Sequence, residues 1–256
     1  MPDQKNPAHN KDKQLFLRIT AEAISRGIVT PKVRVGLKSL WWYHCWLNKI
    51  ANMFFPASEQ NAFLIDYWTT IGFDIGACEN ADFTEWRTLL HELQHVRQQM
   101  KWTRLLWLWL YGFPVSLALV FLAAIPLICV FAHGWLLGGL TTLAVTLAAA
   151  CFIPQLPDPF RKRQELEAYT INMFFEHRKT GDISPVYIAW LVTTFHSMAY
   201  YIMDNNADKL KIELSNIAKE IIAGTHPVKD NPLVKLALEL QQNVTAKGIG
   251  DGSHKS

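Results

Sequence analysis

From residue 105 to residue 157 the chain contains no lysine, arginine, aspartate or glutamate. A core helix of an ordinary globular protein rarely needs two consecutive uncharged stretches of that length, so the absence argues against such a segment. Cysteine is scarce as well: Cys45, Cys78, Cys129 and Cys151 are the only four, and none forms a CxxC pair. That argues against a disulfide framework and fits a reducing compartment. Net charge is only +3, and no basic stripe is interleaved with aromatics. Nucleic acid is therefore excluded as an expected partner. The N-terminal "MPDQKNPAHNKDKQ" has no signal-peptide h-region, so the N-terminal part is expected in the cytosol. No internal repeat is visible.

What is present suits one large domain or two small ones in 256 residues. Residues 1–13 and 245–256 read as disordered tails. Leu15, Ile19, Ala23 and Ile24 recur at helical spacing, and Gly27 can end that helix. "KVRVG" (32–36) is a short alternating strand. "LKSLWWYHCWLNKIANMFF" (37–55) is dense in aromatics and is compatible with strand or helix. "AFLIDYWTTIGFDIG" (62–76) reads as one or two strands.

A helix is predicted from about Thr84 to Lys101. Asp82 and Glu85 make a capping-box pair, and Trp86, Leu89, Leu90, Leu93, Val96 and Met100 give one apolar face. A second is predicted after Asp158 as N-cap, with Pro159 at N1 and Gly181 beyond its end. Ser184 and Pro185 open a third, over 184–204. Two more are expected near 207–223 and 231–243.

The uncharged run divides into 105–129 and 131–153, each long enough to cross roughly 30 Å of hydrocarbon as a helix. "AHGW" (132–135) offers the turn between them, and His133 is a polar turn residue. Arg97, Lys101 and Arg104 precede the run, and Arg161, Lys162 and Arg163 follow it. A hairpin puts both basic flanks on one side, which the positive-inside rule makes cytosolic. Trp102, Trp107 and Trp109 suit an interface belt. The expectation is a multi-pass membrane protein with a single hairpin, both termini cytosolic and the lipid bilayer as a partner.

The motif helix carries "HELQH" at 91–95. Residues i and i+4 of a helix share a face, so His91 and His95 can present two imidazoles to one metal ion. Glu92 lies beside them, placed to take a proton from a water activated by the metal. This is the zinc-hydrolase arrangement. A catalytic zinc needs a third protein ligand and an open position. "RQELEAY" (163–169) offers Glu165 and Glu167, and helical spacing gives no preference between them.

HExxH, an apolar hairpin and a helix with "ELEAY" resemble the integral-membrane zinc proteases that include the CAAX prenyl protease and the heat-shock membrane protease. The resemblance covers roughly residues 84–178. "HELQHVRQQ" and "ELEAY" are also similar to zincin-like proteins of phages and bacteria. That family has ExxxD, whose Glu is the third zinc ligand; the resemblance implies Glu165. Its Asp supports a zinc histidine, and Tyr169 stands there in this chain. "DYWTTIGFDIG" resembles the zincin edge strand, against which a peptide substrate pairs.

The implied fold is mainly α with a small β-sheet. It is a zincin-like metalloprotease core, with a transmembrane helical hairpin (105–153) between an N-terminal half (14–104) and a C-terminal helical half (154–244). The implied function is a membrane-associated zinc metallopeptidase. Zn²⁺ is held by His91, His95 and Glu165, Glu92 is the general base, and the substrate is a peptide or membrane protein. His196 and Tyr200 share a helix face, and either can stabilise the oxyanion or serve as ordinary packing. Two other readings stay open: a membrane-anchored structural or assembly protein, and a soluble zincin whose apolar run is buried between subunits.

Overall fold

A computed structural model describes residues 7–37, 70–73, 86–111, 158–196 and 203–250. Its helices are α1 (Pro7–Ser25), α2 (Trp86–Met100), α3 (Arg104–Tyr111), α4 (Pro159–Thr180), α5 (Pro185–His196), α6 (Ala207–Ile222) and α7 (Pro232–Gly250). Strands β1 (Arg34–Leu37) and β2 (Thr70–Phe73) pair in parallel, with Arg34 opposite Thr70 and Leu37 opposite Phe73. The chain divides into two compact units. The first holds 1–103, 165–183 and 216–256, and the second holds 104–164 and 184–215.

Local chemistry sets the helix boundaries. α1 ends at Ser25, and Gly27 follows at φ +67°, a left-handed conformation that costs glycine little. α1 begins at Pro7, inside the stretch expected to be a disordered tail. Proline suits that position because the first helical N–H has no intrahelical partner. α7 likewise runs on to Gly250. Asp158 caps α4, its Oδ1 accepting the backbone N–H of Arg161 at 2.8 Å, and Gly181 terminates it at φ +81°. Ser184 caps α5 by accepting the N–H of Tyr187 at 3.1 Å. Asp82, Glu85 and the aromatic stretch 38–55 lie outside the described residues.

In the first unit α1 packs on α2 and α7, and α7 on α2. Leu15, Ile19 and Ala23 of α1, Leu89, Leu90 and Leu93 of α2, and Leu233, Val234 and Ala237 of α7 are buried. Each large aliphatic side chain taken from water contributes about 1.5–3 kcal/mol. On the other side of α2, Trp86 meets Phe175 edge-on at 4.9 Å and His91 meets Tyr169 at 4.6 Å. As numbers rise along α2 they fall along α4, so the two helices run antiparallel. Arg87 donates to Glu176 across the same seam at 3.1 Å.

In the second unit Lys162 bridges Asp204 at 2.6 Å and Glu213 at 2.7 Å. The Arg161 guanidinium lies 4.9 Å from the Tyr111 ring centre, and Tyr111 stacks on Trp107 at 4.3 Å.

Two expectations require correction. Among the described residues no helix is long and apolar enough to cross a membrane. Of the first expected span only residues 105–111, within α3, are described. Residues 112–157 lie outside the described residues. The transmembrane hairpin and the multi-pass localisation are not supported by the described residues. The expected zincin-like fold is corrected with the hairpin: the described chain is helical, and its β-structure amounts to one pair of four-residue strands.

Candidate metal centre

α2 and α4 build the centre at their antiparallel seam. His91 and His95 are one turn apart on α2, and Glu165 stands in the first half of α4. All three belong to the first unit. His91 Nε2 lies 3.2 Å from His95 Nε2, and Glu165 Oε2 lies 3.3 Å from the former and 3.5 Å from the latter. These atoms form a nearly equilateral triangle.

Its size fits a metal ion. Nitrogen or oxygen ligands about 2.0–2.1 Å from a tetrahedral zinc stand about 3.3 Å from one another. Two imidazoles and a carboxylate are also the donor types of catalytic zinc sites, which leave one position for water or substrate. A buried His–His–Glu group that can hold a metal ion is thus a property of this structure. Glu165, rather than Glu167, is the carboxylate in it.

Charge balance points the same way. Burial lowers the pKa of His91, with the neighbouring His95 adding to the effect against the pull of Glu165. For His95 burial also acts downward. The Glu165 carboxylate, followed by Glu92 and the bond to Gln98, outweighs it and raises His95 to about 9. Burial pushes Glu165 upward, but His95 and His91 hold it well below the usual carboxylate range. A buried ionised carboxylate between two imidazoles calls for one positive species, either a proton on His95 or a metal cation.

No family model matches the chain, and comparison with curated proteins and solved structures likewise gave no match. The site therefore stands on its own geometry.

Glu92 is buried beside the triangle, only 8 % exposed and close enough to act electrostatically on His95. Tyr169, one helical turn beyond Glu165, is buried with its ring set edge-on against His91. Glu167 belongs to a polar network instead. Its Oε2 accepts from Gln98 Nε2 at 3.0 Å and from Gln94 Nε2 at 3.4 Å. Asn231 Nδ2 in turn donates to Gln94 Oε1 at 3.1 Å.

His196 lies in the second unit, exposed at the end of α5, where its Nδ1–H donates to the backbone oxygen of Asp204 at 2.8 Å. Tyr200 is outside the described residues. Sequence reasoning missed Gln98 and Asn172. Gln98 Oε1 is 2.8 Å from His95 Nδ1, and the Asn172 carboxamide is 3.4 Å from His91 Nδ1. Spacing offered a signal for both: Gln98 is three residues past His95, and Asn172 is two turns past Glu165.

Proposed function

We propose that this protein is a zinc-dependent metallopeptidase that hydrolyses peptide bonds. His91, His95 and Glu165 hold the zinc. The observation that carries the reading is the donor triangle with sides of 3.2, 3.3 and 3.5 Å. A zinc ion held there would supply Lewis acidity, polarising a carbonyl and making water nucleophilic near neutral pH.

The chain's own contribution to the chemistry is Glu92. Its carboxylate accepts the proton of the attacking water as the oxygen bonds to the carbonyl carbon. It returns that proton to the leaving amine as the C–N bond breaks. Burial keeps this carboxylate in a low-dielectric surrounding, where its charge acts strongly on its neighbours.

The burial of all four side chains, with His95 and Glu165 each 3 % exposed, favours one competing reading. This is a structural metal site in an assembly protein without turnover, since structural sites are closed to solvent. A quenched-fluorescence library of unstructured peptides separates the two. The zinc-loaded protein is expected to cleave it, and Glu92→Gln to bind zinc without cleaving. Zinc-loaded wild type with no more cleavage than Glu92→Gln would establish the structural site.

A further inference from the structure

Two carboxamides face the outer nitrogens of the two metal histidines. Gln98 Oε1 stands 2.8 Å from His95 Nδ1, and Asn172 Nδ2 is placed 3.4 Å from His91 Nδ1. An imidazole can ligate through Nε2 only if its other nitrogen carries the proton, so each Nδ1–H needs an acceptor. A carboxamide can present either its oxygen or its NH₂, and only the oxygen is useful here.

At His95 the choice is made by a third residue. Glu167 Oε2, 3.0 Å from Gln98 Nε2, only accepts as a carboxylate. It therefore holds the Gln98 NH₂ group toward itself and leaves Oε1 facing His95. At His91 the same logic applies to Asn172. Its Oδ1 is buried with no hydrogen-bond partner, while its Nδ2 faces the imidazole. Oxygen and nitrogen of an amide are assigned from the network around them. Turning this amide over satisfies Oδ1 and the His91 Nδ1–H together.

We propose that Gln98 and Asn172 are positioning residues of the metal centre, each accepting the Nδ1–H of one histidine so that both Nε2 atoms face the metal, with Glu167 fixing the orientation of Gln98. The proposal rests on the metal-site reading above. Support comes from neutral amides rather than carboxylates, so it orients the rings without adding negative charge next to the metal.

The test uses the full chain with Zn²⁺ and Co²⁺ as probes. Gln98→Leu and Asn172→Leu should each weaken Zn²⁺ binding, read by chelator competition, by about 10–100-fold. The visible Co²⁺ spectrum should shift in both as ligand orientation relaxes. Glu167→Leu should weaken binding in the same direction. Glu167→Gln, which keeps an acceptor for Gln98, should restore it. A ring-nitrogen NMR spectrum of zinc-loaded wild type needs no variant, and should show both histidines as Nδ1–H tautomers. Wild-type affinity and an unshifted spectrum in folded Gln98→Leu and Asn172→Leu would overturn the proposal, as would ligation through Nδ1. Wild type that takes up neither metal would remove the metal site itself, a separate result.

Discussion

His91 Nε2 and His95 Nε2 point at each other across 3.2 Å in an interior where neither residue is more than 6 % exposed. Two nitrogen lone pairs at that separation repel unless a proton or a cation lies between them. The purified protein is therefore expected to carry about one zinc per chain. His91→Ala and His95→Ala should each lose it, as measured by elemental analysis after dialysis. Full zinc occupancy in both variants would place the metal elsewhere.

Glu165 and Glu167 make opposite predictions although they are two residues apart. Glu165→Ala removes the third corner of the triangle and should abolish tight zinc binding. It also leaves two buried imidazoles without their counter-charge. Glu167→Gln keeps a hydrogen-bond acceptor for Gln98 and should leave zinc affinity within a few-fold of wild type. Isothermal titration of both variants checks this. Loss of zinc in Glu167→Gln with retention in Glu165→Ala would move the ligand along α4.

The motif helix was legible because its signals are local. The apolar spacing in 84–101 defines one face, and "HELQH" rides on that helix wherever it packs. Asp158, Pro159 and Gly181 marked α4 for the same reason. The choice between Glu165 and Glu167 was not legible from spacing, since it depends on how α4 crosses α2. Asn172 meets His91 only once α4 faces α2, whereas Gln98, three residues past His95 on α2 itself, carries a local signal. The uncharged run misled differently. An uncharged segment reports that it avoids water and says nothing of what excludes the water.

Glu92 carries the enzymatic reading. Its carboxylate is buried and acts on His95, yet it is not a corner of the donor triangle. Glu92→Gln should keep zinc and melt within a few degrees of wild type. Peptide hydrolysis should fall by about 10²–10⁴, the usual worth of a general base. Turnover equal to wild type in the zinc-loaded variant would assign the base to another group.

His226 sets a pH dependence in the first unit that is independent of the metal centre. The chain leaves α6 through Gly224 at φ +69°, and His226 then caps the short 3₁₀ turn Pro227–Asp230. Its Nδ1 accepts the backbone N–H of Val228 at 3.1 Å, which requires that nitrogen to be unprotonated. Burial lowers the His226 pKa below its ordinary 6.5, and the Glu220 carboxylate at 4.0 Å offsets this only in part. The unfolded chain therefore binds this proton at higher pH than the folded one. Stability from the group is fully present above about pH 6.5 and is lost as pH falls through the folded value. His226→Asn keeps a capping oxygen and does not titrate. Above pH 7.5 the two proteins should melt at about the same temperature. Toward pH 5 wild type should fall below the variant by about 2–4 °C, the shift expected for loss of a cap worth about 1 kcal/mol. Taking the difference between the proteins cancels every other titrating group, the metal ligands included. A melting difference that stays constant from pH 5 to pH 8 would show that His226 does not cap through a neutral ring.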